Sequence, residues 1–251
     1  FKELLIGCVP EEFLVSPPIL GDLFPKGGLA ALVIPIDSQA PKGRIILPQV
    51  QAIRDTLDCG GLCCVARETE LAALLGRLKT PPDIVVCDSQ AVERVARETP
   101  AGVKLTTFSI LFARLKGNLD EMAGNTAAVA RLKKGDKVLI SESCTHHPVH
   151  EDIGRVKIPN WLSAHVGGGL EINVTAGRDF PDDLKDYALI IQCGGCMQTR
   201  RDILLRIEKA KEAGVPITNY GLVISLTKNV LERTLAPFPS ALAAYLAAKE
   251  A

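Results

Sequence analysis

Gly28-Leu29-Ala30-Ala31-Leu32-Val33-Ile34-Pro35 is a short, uncharged apolar run ended by a proline. Leu29 to Ile36 reads as a strand, and the run is far below the roughly 20 apolar residues that a membrane-spanning helix requires. The residues after it decide the fold class. Pro48 to Leu57 carries Val50, Ile53 and Leu57 at a 3–4 spacing, with Pro48 suited to a first helical turn. Leu62 to Ala66, Asp83 to Cys87 and Val103 to Thr106 repeat the strand pattern, and Glu68 to Leu78 and Gln90 to Glu98 read as the intervening helices. Strands alternating with helices predict an α/β fold with a mainly parallel sheet flanked by helices.

The pattern pauses after the apolar helical stretch Phe108 to Lys116, at Lys116-Gly117-Asn118, and resumes with a helix over Leu119 to Leu132. A second series comes next. Lys137 to Ser141, Leu170 to Val174, Leu189 to Gln192 and Pro216 to Asn219 read as strands, and Ile158 to Val166, Met197 to Ala213 and the Ala-rich C-terminus as helices. Two small α/β domains are expected: 29–116 and 117–251, with an N-terminal segment, 1–28, packing on the second.

The 251 residues hold 29 Lys+Arg against 29 Asp+Glu, so no global field draws the chain to nucleic acid or to an anionic membrane. The chain starts at Phe1 and no signal-peptide pattern precedes the first strand, so a fragment of a longer protein is expected. Eight cysteines in a chain this apolar predict reduced thiols in a cytoplasm rather than disulfide staples. Cys8, Cys59, Cys63, Cys64 and Cys87 lie in or beside apolar runs, where a free thiol behaves as a small hydrophobe.

Three cysteines stand apart. Cys144 lies in Ser143-Cys144-Thr145-His146-His147-Pro148, just after one strand, and Cys193 and Cys196 lie in Cys193-Gly194-Gly195-Cys196-Met197, just after another. If those strands are parallel neighbours, all three thiols gather at the carboxyl edge of one sheet, where open α/β folds build their sites. Cys196 is expected in the first turn of the following helix, where free amides and the helix dipole would lower its thiolate pKa. Thiolates select zinc, copper(I) or iron–sulfur clusters. Spacing leaves three readings open: an iron–sulfur centre, a structural zinc site on Cys144, His146, Cys193 and Cys196, or a thiol redox pair of Cys193 and Cys196. His146, His147 and Gln192 are the nearest candidates for a fourth ligand or a supporting donor.

The sequence also resembles a known family. Pro35-Ile36-Asp37, Ala40-Pro41-Lys42-Gly43-Arg44, Leu47-Pro48-Gln49-Val50-Gln51, Phe108-Ser109-Ile110-Leu111-Phe112-Ala113-Arg114, Cys144-Thr145-His146-His147-Pro148, Gly154-Arg155-Val156-Lys157-Ile158-Pro159, Gly177-Arg178-Asp179-Phe180-Pro181 and Cys193-Gly194-Gly195-Cys196-Met197 together are similar to HydF, the scaffold GTPase family of FeFe-hydrogenase maturation. The resemblance implies a dimerisation domain followed by a cluster-binding domain, without the family's GTP-binding domain. No Gly-x-x-x-x-Gly-Lys-Ser/Thr motif occurs in the 251 residues.

It further implies that Cys144, Cys193 and Cys196 hold a 4Fe–4S cluster, and that the protein carries a transient diiron precursor to the FeFe-hydrogenase. The chain would thus be a scaffold rather than a catalyst, working as a homodimer with radical maturation enzymes. In the family a His precedes the Cys-x-x-Cys pair; here Gln192 stands there. The fourth iron position is then expected to be open, or to take His146 or the carboxylate of Glu142. Arg155, Lys157, Arg178, Arg200 and Arg201 lie in or near the matched motifs and are candidates to contact an anionic precursor.

Overall fold

The computed structural model describes residues 3–4, 18–36, 43–143 and 152–250. Its eight strands are β1 (Leu29–Val33), β2 (Leu62–Ala66), β3 (Ile84–Cys87), β4 (Lys104–Thr107), β5 (Lys137–Ser141), β6 (Glu171–Thr175), β7 (Tyr187–Gln192) and β8 (Ile217–Asn219). They form two four-stranded, wholly parallel sheets, ordered β2-β1-β3-β4 and β6-β5-β7-β8. The two orders are the same, so each sheet reverses its direction of growth at one point, between β1 and β3 and between β5 and β7. Crevices at the carboxyl ends of such strand pairs are where α/β sheets bind ligands.

Ten α-helices among the described residues connect and cover the strands: α1 (Leu47–Asp58), α2 (Leu71–Leu75), α3 (Val92–Glu98), α4 (Phe108–Lys116), α5 (Leu119–Thr126), α6 (Ile158–Val166), α7 (Arg200–Glu212), α8 (Tyr220–Thr227), α9 (Leu231–Leu235) and α10 (Pro239–Glu250). Local chemistry sets several starts. The Thr107 side chain accepts from Ile110 N and opens α4 directly out of β4; Asn219 accepts from Gly221 N and opens α8 directly out of β8. A side chain that satisfies an orphan amide lets a helix begin with no intervening loop.

Alternate residues along the central strands feed two apolar layers. Leu32, Leu139 and Ile190 point into one; Val33, Val138, Ile140 and Ile191 point into the other. Both layers run through both sheets, so the halves share their cores. Residues 18–28, the described end of the N-terminal segment, are tied to the first half: Leu20 N and Gly21 N donate to Asp55, the Lys104 ammonium donates to Leu23 O, and Arg114 holds Asp22 and the carbonyls of Pro18 and Ile19.

Every predicted strand is present within a residue or two at its start, although the first ends at Val33 rather than Ile36. The helices depart more. Glu68 to Leu78 contracts to the five residues of α2, capped at Gly76, and the end of the Leu119 stretch is a 3-10 turn over Ala127–Arg131. α8 and α9 carry no sequence signal of their own. In α8, Gly221 to Ser225 are all buried, so the helix has no polar face to reveal its period. α1 lies where expected but presents its Val50 and Leu57 to solvent; it buries Pro48, Gln49, Ala52 and Thr56.

Candidate metal centre

The strand order makes β5 and β7 hydrogen-bonded neighbours, with Ser141 opposite Gln192 at their carboxyl ends. Glu142 and Ser143 come directly after the first and Cys193 after the second. The Ser143 amide donates to Cys193 Sγ at 3.1 Å, and the two side chains lie 3.1 Å apart, Sγ to Oγ. Cys144, the next residue after Ser143, lies outside the described residues, as do His146 and His147.

Cys193, Gly194 and Cys196 line a cleft of about 200 Å³. Its opposite wall comes from the carboxyl edge of the first sheet and the start of α4: Asp88, Ser89, Phe108 and Phe112. Glu142, Gly154 and Tyr220 complete it. The cleft thus lies between the two halves, and neither half alone would enclose it.

Gln192 is buried, and its two ends do different things. Its carbonyl accepts from Arg206 Nη1 at 3.0 Å, which turns its amide toward Ser143 Oγ at 3.1 Å and Cys193 Sγ at 3.8 Å. Because the oxygen is held from behind, Gln192 offers N–H to the sulfur and no lone pair to a metal. Arg206 is itself buried, donating also to Ser141 Oγ (2.8 Å) and Gly177 O (2.7 Å), and stacks over Phe180 at 5.1 Å. Burial lowers its pKa, opposed by Cys193 and Asp202.

Glu142 is 2% exposed and its Oε2 receives Arg155 at 3.0–3.2 Å. A Cβ on Gly154 would come within 2.7 Å of Glu142 Oε1 and 2.1 Å of the Tyr220 hydroxyl, so only glycine fits between them. Gly154 belongs to a π-helical turn over Ile153–Lys157, a local irregularity that often marks functional sites. Among the other basic candidates, Lys157 donates to Gln90 Oε1 at 2.7 Å and Arg200 to Leu115 O at 2.7 Å, both linking the halves. Arg178 and Arg201 are exposed.

Cys196 is not in the first turn of the following helix. It occupies a turn after Gly195, whose φ is +65°, and α7 starts at Arg200 because Thr199 and Asp202 form a reciprocal capping box there. Nor is its pKa lowered: burial, then the charge of Cys193, pushes the thiol up, outweighing Lys116 and the amides of Met197 and Cys196. Lys116, which the sequence did not single out, donates to the carbonyls of Gly195, Cys196 and Gln198. Its ammonium is lowered by burial, with Cys196 and Cys193 acting the other way.

The donor set suits a thiolate-bound metal. Two sulfurs come from one Gly-Gly turn, the Ser143 backbone amide and the Gln192 side-chain amide donate to one of them, and a cation lies beside the loop; such contacts stabilise anionic sulfur. No group of three or more His, Cys, Asp or Glu side chains converges among the described residues, and the third proposed thiol, Cys144, is not one of them. Cys59, Cys63, Cys64 and Cys87 are free thiols in the first half.

A two-sheet α/β protein with a thiol-lined switch-point cleft is the class that fold and site define. The Hydrogen maturase F dimerization domain matches residues 19–117 and the Hydrogen maturase F tetramerization domain matches residues 120–237. The chain belongs to the hydrogen maturase F family, and its role lies in hydrogenase maturation; the names of both domains point to self-association. No curated protein matches the chain.

Similar solved structures include an ABC transporter solute binding protein from Burkholderia multivorans (11% identity, 89% of this chain and 94% of that one, TM-score 0.27). Others are an NtrC family transcriptional regulator from Clostridium acetobutylicum (10%, 82% and 97%, 0.25) and a 5,10-methylenetetrahydrofolate dehydrogenase from the silkworm Bombyx mori (11%, 88% and 90%, 0.25). At these TM-scores the likenesses carry no argument. No described helix is long and apolar enough to cross a membrane.

Proposed function

We propose that the chain is an iron–sulfur scaffold in FeFe-hydrogenase maturation, in which Cys144, Cys193 and Cys196 hold a 4Fe–4S cluster at the β5/β7 switch point and the adjoining cleft carries a diiron precursor to the hydrogenase. One observation carries the reading. Cys193 Sγ lies 3.1 Å from the amide of Ser143, the residue next to Cys144, so two motifs 50 residues apart in sequence meet at one sheet edge.

A cluster bound there would supply a site able to exchange one ligand, and the residues of the chain divide the remaining tasks. Gln192 and Ser143 donate to the Cys193 sulfur, Arg206 orients Gln192, and Glu142, which with Asp152 is a buried carboxylate of the cleft wall, is the candidate fourth ligand. The mainly apolar faces of Phe108, Phe112 and Ile224 would keep water from a precursor.

Anaerobic reconstitution with iron and sulfide, followed by visible absorption and EPR of the reduced sample, tests this. About four irons per chain, with a signal abolished or altered in Cys144→Ala and Cys193→Ala, is the expected result. Uptake of one zinc and no iron would replace the scaffold by a structural site, and a reversible Cys193–Cys196 disulfide without any metal would favour thiol redox chemistry.

The dimer interface we assign to the β2 edge and the outer face of α1. Leu62 (61% exposed), Val65 (52%) and Leu57 (54%) are apolar and open to solvent beside a strand edge that pairs with no further strand among the described residues, where a second copy can extend the sheet. Sedimentation at micromolar concentration showing only monomer would contradict this.

A further inference from the structure

Lys116 ends α4, a helix of the first half, yet its ammonium serves the second. It lies 5.4 Å from the centroid of the Phe112 ring and donates to Gly195 O at 2.7 Å, Gln198 O at 2.8 Å and Cys196 O at 3.2 Å. An ammonium has three N–H bonds, and here all three go to the one loop that holds both cysteines. Besides these, the loop is held by Gln198 N to Gly195 O (3.1 Å) and Cys193 N to Ser141 O (3.0 Å), and through side chains by Ser143 N to Cys193 Sγ (3.1 Å), Ser143 Oγ to Gln198 Oε1 (3.1 Å) and Gln198 Nε2 to Gly177 O (2.8 Å).

The exchange is reciprocal. Arg200, at the start of α7 just past the loop, donates to Leu115 O (2.7 Å) and Gly117 O (3.3 Å), carbonyls at the C-terminal end of α4 that the helix leaves unpaired. Each half thus caps the exposed carbonyls of the other with one cation, immediately beside the thiols.

We propose that Lys116 is a positioning residue for the metal centre, the latch by which the dimerisation half fixes the shape of the Cys193–Cys196 loop and places a positive charge beside its two sulfurs. The latch stands on the hydrogen bonds alone; the electrostatic effect rests on the proposed cluster. A cation near a cluster favours the reduced form, which carries one more negative charge, so removing it lowers the midpoint potential. The same contact makes the site responsive to movement of α4.

Three variants separate the two effects: Lys116→Met removes donors and charge, Lys116→Gln keeps a donor without charge, and Lys116→Arg keeps both. In the metal-free chain, amide hydrogen exchange over residues 194–199 is expected to accelerate about tenfold or more in Lys116→Met, with β5 and β7 unchanged, and to be largely restored in Lys116→Gln and Lys116→Arg. After reconstitution, the potential is expected to fall in Lys116→Met and Lys116→Gln and to return in Lys116→Arg.

Unchanged loop exchange in Lys116→Met overturns the latch, and an unchanged potential in both neutral variants overturns the charge role. If Lys116→Met does not fold, Lys116→Ala, which also lacks both donors and charge, takes its place in both measurements. If the parent chain takes up no cluster, the scaffold reading fails by itself, and the exchange measurement still decides the latch.

Discussion

Replacing Arg206 with Met would remove the buried guanidinium that aims Gln192 at the Cys193 sulfur, while the flexible apolar side chain keeps most of the contact with Phe180. Two buried acceptors, Ser141 Oγ and Gln192 Oε1, lose their Arg206 donor; Gly177 O keeps the Gln198 amide at 2.8 Å. A buried group left unsatisfied costs about 1–3 kcal/mol, and relief from burying the charge offsets part of the sum, for a net loss of about 2–4 kcal/mol. In a domain of this size that lowers Tm by roughly 8 °C.

Urea unfolding followed by far-UV circular dichroism is the assay, with the midpoint falling at an unchanged slope. Combining Arg206→Met with Gln192→Leu tests the specific link, because once the Gln192 carbonyl is gone Arg206 has less to satisfy. The pair should fall short of additivity by about 1–2 kcal/mol. Arg206→Met within about 0.5 kcal/mol of the parent, or a strictly additive pair, would refute the reasoning.

Thr199→Ala should cost about 1 kcal/mol by removing the cap that starts α7, measured in the same unfolding assay. The Asp202 carboxyl is held below the usual aspartate range, first by the Thr199 hydroxyl and then by the Thr199 amide. Its contribution is therefore complete above the unfolded aspartate value and lost as pH falls through the lower folded value, so Asp202→Asn should flatten the acid limb of the stability–pH curve below about pH 4. Gly221→Ala would put a Cβ 2.7 Å from Ser109 Cβ and 3.0 Å from Thr107 Oγ1, where α8 meets the start of α4; a loss of about 1–3 kcal/mol is expected in denaturant titration. Leu62→Lys, on the open β2 edge, should shift sedimentation toward monomer with little change in Tm, since the side chain is already exposed.

Strands were the most legible elements because buried parallel strands announce themselves as short apolar runs, and both of the cysteine motifs could be placed at strand ends from the sequence. Residues working at a distance were not legible. Lys116 and Arg206 look like ordinary helix cations, one at the end of an apolar helix and one on the amphipathic face of another, and nothing within several residues marks either as a neighbour of Cys193. α1 shows the complementary failure: its apolar spacing was visible, but whether that stripe meets the core or faces outward depends on what else covers the sheet.

Local chemistry, then, is what the chain determined by itself: the α/β alternation, the break at Gly117, and the thiol motifs after β5 and β7. Tertiary structure alone decided that the two halves share both apolar layers, that their carboxyl edges face one cleft, that Lys116 bonds the cysteine loop and that Arg206 holds Gln192 just before it. The reason is the range of the forces. Periodicity and capping act within a few residues and are written locally, whereas strand order and cation placement join distant groups, Arg206 to Ser141 across 65 residues and Lys116 to Gln198 across 82, for which a single sequence carries no local signature.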